Sequence, residues 1–182
     1  RSRLQLQPVK AVTNHSDWTD MTARAFTFFL STILLMSGNA TSLLAKTPEL
    51  RPEDPVYVQL GRTVYQDQCA SCHGVNLEGQ VGWRDRKVDD MRLAPPHNRS
   101  GHTWHHPDEL LYKLTKYGFK AMIGEDYKVS MPVYDGIIED QEIIAVLSYI
   151  KSTWPADIKK IHDKINSDYK LNRAMEEKIE GS

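Results

Sequence analysis

The only two cysteines of this 182-residue chain, Cys69 and Cys72, stand three apart, and His73 follows at once in Cys-Ala-Ser-Cys-His-Gly. A C-x-x-C pair serves three chemistries: a redox-active disulfide, half of a zinc site, or covalent attachment of haem. The redox motif asks for a strand before it and a helix after it. Here a helical pattern leads in, and the glycine-rich stretch 74–82 follows. A plain structural disulfide between cysteines this close would close a small, strained ring. Zinc needs four ligands; His102 and His106 could complete a set, but 29 residues separate the halves, roughly twice the finger spacing of about 12–15. Haem attachment alone requires a histidine directly after the second cysteine. Two thiols adding across the two vinyl groups would give thioethers, and His73 would be held beneath the iron as its proximal ligand.

An iron held by one histidine needs a sixth ligand if it is to transfer electrons, and methionine opposite histidine raises the potential. Met21 and Met36 lie in the N-terminal apolar region and Met175 in a charged tail, leaving Met91, Met122 and Met131. Met131 is favoured because Pro132 drives the residue before it into extended backbone, suited to a loop that lays a thioether against a haem face. Met122 is the runner-up.

Three helices must position these groups. Asp54 caps the first, with Pro55 at its first position. Val56, Leu60 and Val64, with Tyr57 and Tyr65 alongside, form its expected apolar face as it runs into Cys69. The second begins at Pro107, carries Leu110, Leu111, Leu114 and Tyr117, and is expected to stop at Gly118. The third starts near Asp140 and presents Ile143, Leu147, Ile150 and Trp154, backed by Ile144 and Val146, before Pro155 ends it. Strand signals are sparse, so the fold class is all-α: three or more helices wrapped around one covalently bound haem.

Taken together, Gly61-x-x-x-Tyr65, the Cys69–Gly74 motif, Met131-Pro-Val-Tyr134 and the closing 140–155 segment resemble the class I c-type cytochromes, over about Glu53–Pro155. The resemblance implies a cytochrome c fold in which the first and last helices cross near Gly61, bringing Tyr65 to Tyr149. It implies that Cys69 and Cys72 bind the porphyrin, and that His73 and Met131 are the axial iron ligands. It further implies that a proline carbonyl, of Pro95 or Pro96, accepts the Nδ–H of the proximal histidine. The histidines His97, His102, His105 and His106 are explained least. A role at the haem edge, with Trp104 and a histidine donating to the propionates, is preferred to a metal site, and at least two of the four are expected to be solvent-exposed.

The domain plan is an upstream extension at 1–20, a signal peptide at 21–40, a linker at 41–52, the haem domain at 53–155 and a charged helical tail at 156–182. Arg24 precedes the apolar run Ala25–Met36, and Gly38 and Ala40 stand at the −3 and −1 positions of a cleavage site. The rival is an uncleaved anchor extending to Ala45, about the 20 residues a bilayer needs. The tail carries six basic and six acidic residues, with Ile158, Ile161, Ile165 and Tyr169 along one stripe, and is expected to pack weakly.

Net charge is −1; with Arg1, Arg3, Lys10, Arg24, Asp17 and Asp20 removed, residues 41–182 carry −3. A nucleic-acid partner would want a basic face. No acid–base pair or substrate pocket is legible, so the reading is an electron-transfer protein rather than an enzyme. The expected function is a monohaem carrier in the periplasm, between a donor dehydrogenase or quinol-oxidising complex and an acceptor oxidase or reductase. The alternative is a haem c subunit of a membrane-associated oxidoreductase, membrane-bound if the N-terminal segment is uncleaved.

Overall fold

In a computed structural model, residues 48–85 and 87–181 are described. The upstream extension, the leader or anchor and most of the linker lie outside them. Asp54 Oδ1 accepts from the Val56 and Tyr57 amides at 2.9 and 3.5 Å, capping α1 (Pro55–Val64) with Pro55 in the first turn. The chain then passes through a π-helical turn, Tyr65–Cys69, into the one-turn helix α2, Ala70–His73. A two-residue hairpin follows, β1 (Lys87–Val88) antiparallel to β2 (Met91–Arg92), with Lys87 opposite Arg92. Asp89 and Asp90 turn it with φ of 51° and 63°, the left-handed pair that a tight hairpin turn demands. A 3-10 turn at Thr103–His105 leads to α3 (Asp108–Ile123), then α4 (Asp140–Ser152) and α5 (Ala156–Glu180).

The core forms where α1 crosses α4. A Cβ on Gly61 would stand 1.9 Å from the Ala145 carbonyl oxygen and 2.8 Å from Tyr149 Cβ, so the two backbones meet closely only because residue 61 has no side chain. Tyr65 is fully buried one turn on, its ring 5.5 Å from that of Tyr149. This contact corrects the expected face of α1. Val64 and Tyr65 are buried as expected, but Val56 is 73 % exposed and Leu60 39 %, because the close approach at Gly61 turns that residue inward in their place. The α4 face is as expected: Ile143, Val146, Leu147 and Ile150 are buried, with Trp154 beyond its end. Glu139 and Glu142 close a reciprocal capping box at its start.

The first helical run of α3 stops at Gly118, as expected: its φ 80°, ψ 164° is not helical, and a second run resumes beyond the kink to Ile123. A Cβ there would meet Val133 Cγ2 at 2.7 Å, so the kink is where the Met131 segment crosses.

The tail also differs from expectation. Its buried stripe is Ile158, His162 and Asn166, and Ile161 is 45 % exposed. Polar groups anchor it: His162 Nε2 donates to the His106 carbonyl at 3.0 Å, Asn166 Oδ1 accepts from the Asp108 amide at 2.7 Å, and Arg99 pairs with Asp157. Four-residue spacing alone does not distinguish an isoleucine stripe from a mixed one whose polar members find partners. Beyond Tyr169 the helix is largely exposed, with Leu171 and Ile179 at 62 % and 76 %. Among the described residues no helix is long and apolar enough to cross a membrane.

Candidate haem-binding site

A cavity of about 590 Å³ lies between α2, α3, α4 and the loops that follow the hairpin and α3. That is within the roughly 300–1,000 Å³ of sites for small molecules and cofactors. Cys69, Cys72, His73, Pro95 and Met131 all line it. Neither Met122 nor Met91 does; both are surface residues, 37 % and 39 % exposed.

The proximal side is built from the motif outward. His73 ends α2 and is 8 % exposed. Its Nδ1 lies 2.8 Å from the Pro95 carbonyl oxygen. A carbonyl only accepts, so Nδ1 carries the proton and Nε2 keeps its lone pair. The structure thus chooses Pro95 over Pro96. Burial lowers the His73 pKa, and the Pro95 bond opposes this in part, so the ring is neutral, the form that binds metals. Gly74, at φ 81°, turns the chain out of α2, and its carbonyl accepts from Tyr65 Oη at 2.8 Å. Gly79 donates to the His73 carbonyl and His97 to that of Leu77. These bonds stitch the 74–80 loop to the 94–97 segment and bring the Pro95 carbonyl to His73. Burial, with Cys72 adding to it, pushes the Cys69 thiol up to about 11, so it stands neutral in an apolar wall. Cys72 is exposed, so the cavity reaches the surface beside it.

The Met131 segment is fastened at its ends. Lys128 accepts from the Arg92 amide, and Tyr134 donates its amide to Thr115 and its Oη to the Gln68 carbonyl at 2.7 Å. The buried Tyr134 phenol is raised to about 12 by burial and then by the Cys69 and Cys72 thiols, which places it beside the motif. Met131 is half-buried at the cavity wall.

Leu111, Leu114, Val146, Leu147 and Ile150 give the cavity an apolar lining, while Trp83, Arg84, Arg92, His102 and His106 also reach it. Apolar walls with a few cationic and hydrogen-bonding groups fit a flat macrocycle bearing two carboxylates. His102 Nδ1 is buried without a hydrogen-bond partner among the described residues, an atom that fits a ligand oxygen. Its ring stacks on Trp83 at 5.5 Å and 8° and meets His106 edge-on at 5.4 Å. Burial lowers the pKa of both His102 and His106.

The four histidines do not act as one cluster. His97 stacks on His73, His102 and His106 line the cavity, and His105 lies exposed against Trp104. So one of the four is exposed rather than two. Among the described residues no three His, Cys, Asp or Glu side chains are placed to hold a metal ion. Trp104 does not line the cavity; its Nε1 donates to the Arg99 carbonyl at 3.3 Å. The indole at the cavity is Trp83, which sequence reasoning missed along with Arg84 and Arg92. The signal was there in Trp83-Arg84, an aromatic and a cation closing the glycine-rich stretch after the motif.

Comparison with known proteins agrees with this geometry. The cytochrome c family model matches residues 58–154, just over half of the chain. Two relatives are named cbb3-type cytochrome c oxidase subunit FixP. The protein from Bradyrhizobium sp. (strain ORS 278) is 28 % identical over 123 residues, 64 % of this chain and 37 % of that protein. The one from Bradyrhizobium diazoefficiens is 24 % identical over 117 residues, 61 % of this chain and 37 % of that protein. The chain therefore spans little more than a third of the length of either. No solved structure matches. With an all-α fold around a cavity that carries the Cys69–His73 motif, and a family match across α1 to Trp154, the chain belongs to the cytochrome c family.

Proposed function

We propose that this chain is a haem c subunit of a membrane-associated oxidoreductase, passing single electrons to and from partner redox proteins on the periplasmic face. The observation that carries electron transfer is the convergence of Cys69, Cys72, His73 and Met131 on one cavity. Both relatives bear the name of an oxidase subunit, and that favours a subunit over a freely diffusing carrier. Residues 53–155 form the haem domain in this reading, and 156–182 are an added helix.

Haem, when bound, supplies reversible one-electron chemistry at its iron. Cys69 and Cys72 would hold it as thioethers, one haem for the single motif in this sequence. His73 offers Nε2 to the iron, with its tautomer fixed by Pro95. Met131 would hold the iron through a soft thioether, which favours the reduced state. Leu111, Leu114 and Ile150 exclude water, which keeps reorganisation small. Arg84, Arg92 and His102 would meet the carboxylates. The surface beside the exposed Cys72 is where a partner would approach.

A periplasmic carrier remains the second reading, favoured by the small residues Gly38 and Ala40 after the apolar run. Fractionation of cells producing the full chain separates the two. A subunit stays with membranes washed without detergent and co-migrates with a terminal oxidase once solubilised. Release of haem-stained chain with the periplasm would favour the carrier.

A further inference from the structure

His97 lies flat against the proximal histidine. The two rings stack with centroids 4.0 Å apart and planes 22° from parallel. His97 is itself held on several sides. Its Nδ1 lies 2.8 Å from Thr103 Oγ1, and Thr103 is buried. Its backbone amide donates to Leu77, and its carbonyl accepts from Trp154 Nε1 at 2.8 Å. The Tyr65 ring meets it edge-on at 6.3 Å and 74°. The ring thus sits in a fixed frame made by the 74–80 loop, the 3-10 turn and the end of α4.

A single hydrogen bond does not fix an imidazole. The contact between His73 Nδ1 and the Pro95 carbonyl sets one direction in the ring plane, but hydrogen bonds tolerate tens of degrees of misalignment. The ring can still swivel about that axis. A flat, anchored ring in van der Waals contact removes the swivel, because tilting His73 would drive its atoms into His97. An aliphatic side chain would fill the same volume without imposing a plane.

We infer that His97 is a positioning residue that sets the plane of the His73 ring, and through it the orientation of the proximal ligand about the iron–nitrogen bond. The inference rests on the proposed ligation by His73. The orientation of an axial imidazole plane fixes how the ferric d orbitals split, so it is read in the electron paramagnetic resonance of the oxidised protein. A role in packing alone would not move that signal.

The experiment uses the full-length oxidised haemoprotein. His97→Leu, which keeps bulk and loses the flat ring, is expected to broaden and shift the low-spin g values. His97→Phe, which restores a flat ring, is expected to recover narrow lines. A His97→Leu spectrum with parental g values and line widths would overturn the assignment, whatever happens to its melting temperature. If His97→Leu yields no folded haemoprotein, Thr103→Val decides. It frees His97 Nδ1 only; a smaller broadening supports the inference and an unchanged spectrum overturns it. Failure of the ligation itself is distinguishable, since His73→Ala would then leave the parental spectrum intact.

Discussion

The two sides of the cavity are built differently. His73 is buried, bonded to Pro95, stacked on His97 and tied into a loop by Gly74 and Gly79. Met131 sits half-buried in a segment secured at Lys128 before it and Tyr134 after it. The motif side is fixed by several hydrogen bonds and a ring stack within the chain. The methionine side is a span between two fastenings, and the iron–sulfur bond would complete it. With His73 and Met131 as the proposed ligands, a firmly bonded histidine and a lightly held methionine would suit a centre whose potential depends on keeping one weak bond.

The largest effect tests the motif side. The parent is expected to keep its haem through acid–acetone extraction of denatured protein, and Cys69→Ala with Cys72→Ala to abolish this. Haem that extracts freely from the parent would remove the premise of the comparison.

Next is the helix crossing that supports both sides. Gly61→Ala puts a methyl 1.9 Å from the Ala145 carbonyl oxygen and is expected to lower stability by about 3 kcal/mol, read as a drop in the urea midpoint. Gly124→Ala, at φ 115° with nothing within 4 Å, carries backbone strain only and is expected to cost about 1 kcal/mol. Equal costs would mean that the crossing is looser than it looks.

Acid should act through the buried histidines. His97 is lowered well below its ordinary value by burial and by His73 and His102; His162 is lowered by burial first and then by Lys151. The unfolded chain therefore binds more protons than the folded one below about pH 6.5, and stability falls as the pH drops through that range. Each group contributes at most about 1.4 kcal/mol per pH unit. Urea midpoints at pH 7.5 and 5.5 check this, and a midpoint that rises on acidification would contradict it.

A smaller effect isolates the methionine side. Tyr134→Phe removes the bond to the Gln68 carbonyl, worth about 1 kcal/mol. If that bond holds the span in place, exogenous imidazole should bind the ferric protein about fivefold more tightly. Unchanged affinity would show that the span is held by something other than Tyr134.

The sequence carried more of one side than of the other. The Cys69–His73 motif and the α4 face were legible because their signals are local: adjacent residues in one case, a 3.6-residue period in the other. Only half of the α1 face was, because the exposure of Val56 and Leu60 turns on a contact between Gly61 and a carbonyl 84 positions away. The stop at Gly118 was legible, but not the second helical run that resumes beyond it to Ile123. The haem-edge reading of the four histidines was preferred from the sequence, but not that only His105 is exposed or that Trp83 rather than Trp104 reaches the cavity, which depends on the 3-10 turn at Thr103–His105. The buried face of α5 needed knowledge of the partners that satisfy His162 and Asn166.

The most direct test of the two-sided account is the near-red band that a thioether sulfur gives on ferric haem, recorded for the parent, Met131→Ala and Met122→Ala. The account predicts that the parent and Met122→Ala show the band, and that Met131→Ala loses it, binds imidazole readily and has a lower potential, with haem still covalently attached. A band that survives in Met131→Ala and vanishes in Met122→Ala would contradict it.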